Sequence, residues 1–289
     1  MISLDPAQWV RCPRRLAQPS LRLFCLPYGG GDHTLFHTWP DLLPEVVRDR
    51  IEICPIQLPG RAHRVRERPL FTSMPALIDT LVPSILSSSP LYPWLDRPFA
   101  FFGASLGGLI AFELARALSA LHKLSPAALC IAACRAPHLP GPHPLEGAEH
   151  FHDAEVIEQV RALGGTPEYI LADSRLLPVI LPKLRADALL GATYAYIPDV
   201  ALDCPITACG GEQDALVSLP ELAAWQAHTS STFRLHQFPG DHFFVRYAPA
   251  KERSLLLQQI VNACRKTLAR MPSDAKSAPA NQSEATHVS

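Results

Sequence analysis

The stretch "FAFFGASLGGLIAFELARAL", Phe99 to Leu118, changes from an apolar run to a helical pattern at one serine, Ser105. The run that ends at Gly103 is almost wholly apolar, which is typical of a central parallel strand buried on both faces. Beyond the serine, leucine and isoleucine recur at helical spacing, starting from Leu106. The stretch therefore predicts a strand, a sharp turn that carries Ser105, and a helix.

Other apolar runs repeat this alternation along the chain. They are "LRLFCLP", "IEICPIQLP", "AALCIAAC", "CPITACGG" and "TFRLHQFPG", and amphipathic stretches separate them. Strands that alternate with helices favour a mostly parallel sheet covered by helices on both faces. The fold class predicted from the pattern is α/β.

The composition is sufficient for one large domain, which we predict to span residues 1–270. The chain has 289 residues, of which 48% are hydrophobic and 18% are charged, so it can bury a substantial core. From Met271 onward the sequence is small and polar, so residues 271–289 are predicted to form a disordered tail.

Helical patterns dominate between about residues 140 and 198. Asp153 is predicted to cap one helix, and Pro178 and Pro182 are predicted to interrupt another. The length and the apolar excess of this block favour an inserted helical lid over the carboxyl edge of the sheet. An ordinary crossover with extra helices is the alternative.

Charge and composition exclude several classes of protein. With 26 basic and 27 acidic residues, the chain gives no reason to expect a nucleic acid or an anionic membrane as partner. It has no signal-peptide core and no apolar run long enough to span a bilayer, so we expect a cytoplasmic protein. The eight cysteines form no C-x-x-C pair and are expected to be reduced and buried. The pairs His138/His143 and His150/His152 lack cysteine or acidic companions, so no metal is expected.

The segment from Gly103 to Gly107 is a G-x-S-x-G motif, "GASLG". A serine on a sharp strand-to-helix turn needs small neighbours, because strand and helix approach each other closely there. Such a turn lifts the Ser105 hydroxyl above the sheet and offers the Leu106 N–H to an oxyanion. The motif predicts a nucleophilic serine.

A serine hydroxyl needs a base to take its proton, and in this fold class the partners follow in the order serine, acid, histidine. "CPITACGGEQDAL" is a predicted strand whose loop carries Asp214, and "FRLHQFPGDHFFV" is a predicted strand whose loop carries His242. Both side chains come just after the carboxyl end of a strand, the edge where α/β sheets build their sites. They are the predicted acid and base.

Other candidates for these two roles are placed less well. Glu212 lies in the same loop as Asp214 and remains its main rival, while Asp203 precedes the strand. Asp241 is expected to point its side chain away from its neighbour in the loop, His242. His236 is expected on the solvated face of its strand, and His228 near a helix end.

The second oxyanion donor should come from the loop after the first strand. That loop, "LPYGGGDHTLF" from Leu26 to Phe36, contains three consecutive glycines, which let backbone N–H groups face a ligand. Gly29 or Gly30 would supply the donor.

Beyond the motif, the chain from about Trp9 to Leu268 resembles the type II thioesterases that accompany polyketide and nonribosomal peptide synthetases. The segments that carry the resemblance include "LRLFCLPYGGG", "PIQLPGR", "RPFAFFGASLGG", "RAPHLPG", "LPKLRADALLGATYAY" and "CPITACGGEQDALVS". It implies the α/β-hydrolase fold, Ser105 as nucleophile, His242 as base and Asp214 as its orienting acid. It also implies an oxyanion hole made by the N–H groups of Gly29 and Leu106.

The resemblance further implies an activity and a partner. Such enzymes are expected to hydrolyse acyl thioesters from the phosphopantetheine arm of carrier proteins, chiefly aberrant or stalled groups, without a metal or other cofactor. The carrier would bind transiently to a monomeric enzyme. A chain-releasing thioesterase or a general esterase of the same fold is the enzymatic alternative, and a non-catalytic carrier-binding protein is the alternative from another class.

Two features bear on how this chain would work. Where the family often has Ala-Gly-Gly, this chain has Gly29-Gly30-Gly31, and the extra glycine is expected to loosen the oxyanion loop. The basic run "GRAHRVRERP" carries Arg61, Arg64, Arg66 and Arg68. It is interpreted either as part of a docking face for an acidic carrier protein or as a set of solvated surface arginines.

Overall fold

The computed structural model describes residues 5–86, 94–139 and 150–271. A six-stranded sheet forms its centre, with the strand order β2-β1-β3-β4-β5-β6 and parallel pairing throughout. The strands are β1 (Leu21–Leu26), β2 (Ile51–Pro55), β3 (Phe99–Ala104), β4 (Leu129–Ala132), β5 (Ile206–Gly211) and β6 (Phe233–Phe238). All six predicted strands are present, and the α/β fold class is confirmed.

Helices cover both faces of the sheet. The α-helices are α1 (Pro6–Trp9), α2 (Trp39–Leu42), α3 (Met74–Leu86), α4 (Leu106–His122), α5 (Asp153–Leu163), α6 (Glu168–Leu171), α7 (Leu177–Ala192), α8 (Leu219–Ala223), α9 (Phe244–Tyr247) and α10 (Ala250–Arg270). Short 3-10 segments span His33–Phe36, Glu45–Val47, Ala62–Arg64 and Ala224–His228. Among the described residues, no helix combines the length and apolar character needed to cross a membrane.

Two apolar cores lie on opposite faces of the sheet because successive strand side chains point to opposite faces. In β3, Phe99 and Phe101 pack into one core, whereas Phe102 and Ala104 pack into the other. Every residue of β3 is buried, as predicted for a central strand. All eight cysteines are free and all except Cys12 are buried, in agreement with their apolar surroundings.

Strand order places the functional edge of the sheet. The chain proceeds from β1 outward to β2 and then returns to β3 on the other side of β1. Ligands in open α/β sheets bind where the strand order reverses in this way, beyond the carboxyl ends of the strands. Leu26 pairs with Gly103 at the ends of β1 and β3, so the triple-glycine loop and the serine turn emerge side by side.

The helices α5, α6 and α7 lie between β4 and β5, in the block where helical patterns dominate. Four buried side chains give this block a small core of its own, consisting of Val156, Val160, Leu171 and Leu184. The first part of the predicted lid, residues 140–149, lies outside the described residues, as does the predicted tail after Met271.

Two local predictions in this block are wrong. His152, not Asp153, occupies the N-cap of α5, with Glu155 accepting a hydrogen bond from its backbone N–H at 2.6 Å. α7 continues through Pro178 and Pro182. Pro178 lies in the first turn, where no intrahelical N–H bond is due, so only the proline at 182 removes a hydrogen bond from the helix interior.

Candidate active site

The turn that carries Ser105 has the strained backbone expected of a G-x-S-x-G motif. Ser105 has φ +50° and ψ −121°, a region that non-glycine residues rarely adopt. A Cβ on Gly103 would lie 2.2 Å from the carbonyl oxygen of Gly107, and one on Gly107 would lie 2.4 Å from that of Leu26. Only glycine fits at either position, so strand, loop and helix can meet closely enough to hold the serine in this conformation.

The structure brings together the three side chains predicted to act together. The Ser105 Oγ lies 3.0 Å from Nε2 of His242, and Nδ1 of the same ring lies 3.0 Å and 3.2 Å from the two carboxylate oxygens of Asp214. Since a carboxylate only accepts hydrogen bonds, Nδ1 is assigned the proton. Nε2 is then left with a lone pair for the serine hydroxyl, the arrangement required of a general base.

The environment of Asp214 keeps its carboxylate ionised. Its side chain is fully buried, and burial alone would raise its pKa. The hydrogen bond from His242 and the backbone N–H groups of Leu216 and Val217, at 2.8 Å and 3.1 Å, stabilise the charged form. They outweigh burial and lower the pKa below its ordinary value of 3.8.

The rival acids lie elsewhere. Glu212 is exposed, and it is Asp214 rather than Glu212 that contacts the histidine. Asp241 turns back to accept the Phe243 N–H at 2.8 Å, which agrees with its expected orientation. Asp203 precedes β5, at the end of the sheet away from the serine.

The rival histidines are also separate from the serine. His236 is half-buried in β6, with its Nε2 enclosed, so the prediction that it lies on a solvated face is wrong. His228 is buried and its Nε2 lies 2.7 Å from Nδ1 of His138. Burial and the neighbouring His138 lower the pKa of His228 to about 4. The pairing of these two histidines, 90 positions apart, has no local sequence pattern.

Gly29 and Leu106, the two residues expected to form the oxyanion hole, line the same cavity as Ser105. Within the part of the chain that the structure describes, the N–H groups of Gly29 and Leu106 have no acceptor. The N–H of Gly30, in contrast, donates to Asp187 at 2.6 Å. Of the two glycines considered from the sequence, Gly29 is therefore the one whose N–H is available to an oxyanion.

A cavity of about 180 Å³ adjoins the serine and the histidine. Its lining is mainly apolar and combines the serine turn with the helical insertion, which consists of α5, α6 and α7 between β4 and β5. The helices of the insertion contribute Val160, Leu163, Leu184, Asp187 and Ala188, and the loop between α5 and α6 contributes residues 165 and 166. None of the five helical residues was predicted as a site residue from the sequence, because a leucine or valine on a helix has the same pattern whether it lines a pocket or fills a core.

The basic run is not a uniform surface feature. Arg61 and Arg64 are 4% and 1% exposed, so the interpretation of the whole run as a docking face or as solvated side chains is wrong for these two. Arg64 pairs with Glu67 at 2.7 Å and stacks 4.1 Å from the Trp9 ring centre. Only Arg66 and Arg68 of the four are exposed.

One group of side chains has the composition of a metal site, namely Cys12, Glu52 and Cys54. The carboxylate of Glu52 already accepts a hydrogen bond from Arg22 at 2.8 Å and forms an ion pair with Arg15 at 3.1 Å. The positive charges of these two guanidinium groups would repel a metal cation at Glu52, so the three residues do not fit a metal ion. Of the histidine pairs considered from the sequence, His143 lies outside the described residues, and His150 and His152 belong to no such group among the residues that the structure describes.

Comparison with known proteins identifies the family. The thioesterase domain family matches residues 21–264. The gramicidin S biosynthesis protein GrsT of Aneurinibacillus migulanus is 38% identical over 228 residues, covering 78% of this chain and 83% of GrsT. Thioesterase PikA5 of Streptomyces venezuelae is 34% identical over 244 residues, covering 84% of this chain and 82% of PikA5.

A solved structure extends the likeness to the fold. The type II thioesterase BorB from the borrelidin biosynthetic cluster superposes with a TM-score of 0.75 at 32% sequence identity. The match covers 92% of this chain and 100% of BorB. The chain therefore belongs to the thioesterase domain family and is a type II thioesterase with the α/β-hydrolase fold.

Proposed function

We propose that this thioesterase hydrolyses acyl groups from the phosphopantetheine arm of carrier proteins, and that it removes aberrant or stalled groups from a polyketide or nonribosomal peptide synthetase. The observation that carries the proposal is the hydrogen-bonded series Ser105, His242 and Asp214 beside an apolar cavity. The names of GrsT and PikA5, a biosynthesis protein and a thioesterase, support the setting.

The first half of the reaction acylates the enzyme. Nε2 of His242 takes the Ser105 hydroxyl proton as the oxygen attacks the thioester carbonyl carbon, and the carbonyl oxygen becomes an oxyanion. The N–H groups of Gly29 and Leu106 stabilise that charge. When the intermediate collapses, the carbon–sulfur bond breaks, and the pantetheine thiol leaves with the proton from the histidine.

The second half regenerates the serine. A water molecule gives a proton to His242 and attacks the acyl-serine carbonyl, and the carboxylic acid product leaves as the serine regains its proton. Asp214 keeps the Nδ1 proton in place and stabilises the imidazolium ion that forms in each half. Every step is assigned to side chains, backbone N–H groups and water, so no metal or organic cofactor is part of the proposal.

The helical insertion is assigned the role of a lid. Its residues form one wall of the cavity, and a pantetheine arm that enters from outside has to pass between this wall and the sheet edge. We place the carrier protein at this entrance, as a transient partner of a monomeric enzyme in the cytoplasm.

Release of acetyl and longer acyl groups from a phosphopantetheinylated carrier protein tests the proposal. Wild-type protein should release them, and Ser105→Ala should lower kcat by roughly 10⁴-fold or more because the nucleophile is gone. Ser119→Ala, the same change on the helix that follows the nucleophile, is the matched control and should keep full activity.

Substrate comparison separates the alternatives. Equal hydrolysis of matched thioesters and oxygen esters would identify a general esterase, and preference for full-length chains would identify a chain-releasing enzyme. Carrier binding without turnover would identify a non-catalytic binder. Full activity in Ser105→Ala would contradict the serine mechanism.

A further inference from the structure

One buried carboxylate joins the helical insertion to the triple-glycine loop. Asp187 lies on α7, is 6% exposed and lines the cavity. Its Oδ2 accepts the N–H of Gly30 at 2.6 Å, and its Oδ1 accepts from Nη2 of Arg61 at 2.7 Å. A side chain of the insertion thus reaches the loop that supplies an oxyanion donor.

Arg61 completes a closed set of contacts around the loop. Its Nη1 donates to the carbonyl oxygen of Gly31 at 2.9 Å, while the N–H of Gly31 donates to the carbonyl of Tyr28, also at 2.9 Å. Asp187 therefore holds the loop by an N–H group and Arg61 holds it by a carbonyl oxygen. The two side chains also hold each other.

These contacts fix a segment that would otherwise have wide conformational freedom. Three consecutive glycines can exchange among many backbone conformations, and Gly30 has φ +79°, in the left-handed region. An oxyanion donor is effective only when its direction is set before the reaction. With the N–H of Gly30 held by Asp187, the N–H of Gly29 is left without an acceptor, and Gly29 lines the same cavity as Ser105.

The position of Asp187 on the helix suits this role better than a role in stability. Leu184, one turn earlier on α7, contacts the same loop so closely that a Cβ on Gly30 would lie 2.8 Å from its Cδ2. A buried ion pair contributes little net stability, since the desolvation of both charges offsets their attraction. The pair with Arg61 does, however, hold the carboxylate in one orientation.

We propose that Asp187 is a positioning residue for the oxyanion hole, and that through it the helical insertion fixes the direction of the Gly29 N–H. This inference rests on the proposed function. It means that the lid wall and the catalytic loop are not independent, because a displacement of α7 would release the N–H of Gly30 and free the loop. The extra glycine in the loop is compensated by a contact from a distant helix.

Asp187→Asn tests the role. The amide has one oxygen where the carboxylate has two, so it can accept from the Gly30 N–H or from Arg61 but not from both. Either the loop contact or the contact that orients the side chain is lost, and the loop is no longer fixed from both sides. We expect kcat for acyl-carrier hydrolysis to fall roughly 10- to 100-fold, less than for complete loss of a donor, with KM within about threefold of wild type.

An oxyanion-forming inhibitor supplies a readout that a purely structural role would not change. The Ser105 oxygen adds to the carbonyl carbon of a trifluoromethyl ketone that carries the acyl chain of the substrate. The serine proton passes to His242, and the adduct is a tetrahedral oxyanion. Its inhibition constant should rise in Asp187→Asn by about the factor that kcat falls.

Asp153→Asn is the matched control. Asp153 also pairs with an arginine of α7, Arg185, at 2.6 Å, but its side chain is 70% exposed and contacts no part of the loop. It should retain wild-type kcat and inhibitor binding. An equal loss in both variants would overturn the inference, as would wild-type kcat in Asp187→Asn or a loss confined to KM.

A second variant covers the case in which Asp187→Asn does not fold. The double change Asp187→Leu/Arg61→Met removes both loop contacts and leaves no buried charge, and such apolar replacements commonly keep a fold stable. It should lose kcat as Asp187→Asn does, and wild-type kcat in the folded double variant would overturn the inference. Wild-type protein and Ser105→Ala in the same assay separate the two proposals. If neither protein releases acyl groups, the proposed function itself is contradicted, and not only the role of Asp187.

Discussion

The turn around Ser105 and the helical insertion hold their functional groups in contrasting ways. At the turn, the tight contacts run between backbone atoms, since a Cβ on Gly103 or Gly107 would lie within 2.5 Å of a carbonyl oxygen. The insertion depends on a small core of four buried side chains and on partly exposed ion pairs such as that of Arg161 and Glu168. Ser105 is therefore held by rigid backbone geometry, whereas the cavity wall opposite it is held by side chains that can rearrange.

This difference indicates which motions the enzyme tolerates. A nucleophile must stay aligned with its base to within a fraction of an ångström, and the turn provides that alignment. In the proposed function this wall has to open to admit the substrate, and few buried contacts make opening less costly. Asp187 links the two regions, because it lies on the insertion and is hydrogen-bonded to the triple-glycine loop.

The largest expected effect concerns the rigid side of this comparison. Asp214→Asn should lower kcat by about 10⁴-fold, because an amide in place of the carboxylate favours the wrong tautomer of His242. Glu212→Gln, the matched change two positions earlier at an exposed side chain, should leave kcat near wild type. Steady-state kinetics on the same acyl-carrier substrate would check both.

The opposite ranking would assign the orienting role to Glu212. It would mean that the hydrogen bond between Asp214 and His242, at 3.0 Å, is not the one used in the reaction. The loop that carries both acidic residues would then have to adopt a different geometry during turnover.

The next effect compares two glycines of the same chain, one in each region. A Cβ on Gly107 would lie 2.4 Å from the Leu26 carbonyl oxygen, whereas nothing lies within 4 Å of one on Gly164, the C-cap of α5 with φ +80°. Gly107→Ala should lower the free energy of unfolding by about 3 kcal/mol through overpacking. Gly164→Ala should cost only about 1 kcal/mol, through its left-handed backbone. Urea unfolding of both variants measures the difference. Equal losses in the free energy of unfolding would show that the turn accommodates an added methyl group as easily as the insertion does.

The same contrast explains how far the sequence could be interpreted. The turn, the strands and the positions of Ser105, Asp214 and His242 follow from local patterns, because backbone strain, periodicity and strand ends all leave traces within a few residues. The predicted α/β class and the predicted family are both confirmed by the comparisons with known proteins. Only the three-dimensional structure distinguishes Asp214 from Glu212 by their contacts, since both residues follow the same strand.

The features that the sequence did not reveal depend on distant partners. Arg61 and Asp187 are 126 positions apart, and each separately looks like a surface residue of a charged run or a helix. The same holds for the burial of Arg64 against Trp9 and for the pair of His138 and His228. No single-sequence pattern specifies which charged side chains meet inside a fold, so the interpretation of the basic run was wrong for its two buried members.

The smallest expected effect concerns the independence of the insertion. Val156 is 1% exposed within the small core of the insertion, and Val156→Ala removes two buried carbons there, worth about 1.6 kcal/mol. If the insertion opens as a unit of its own, amide hydrogen exchange should accelerate about tenfold in α5 and α7 and stay unchanged in β3 and α4. The matched change Val82→Ala, in the main core and 5% exposed, should instead accelerate exchange throughout the chain. A uniform acceleration in Val156→Ala would mean that the insertion unfolds only with the sheet, and that the cavity wall is as fixed as the serine it faces.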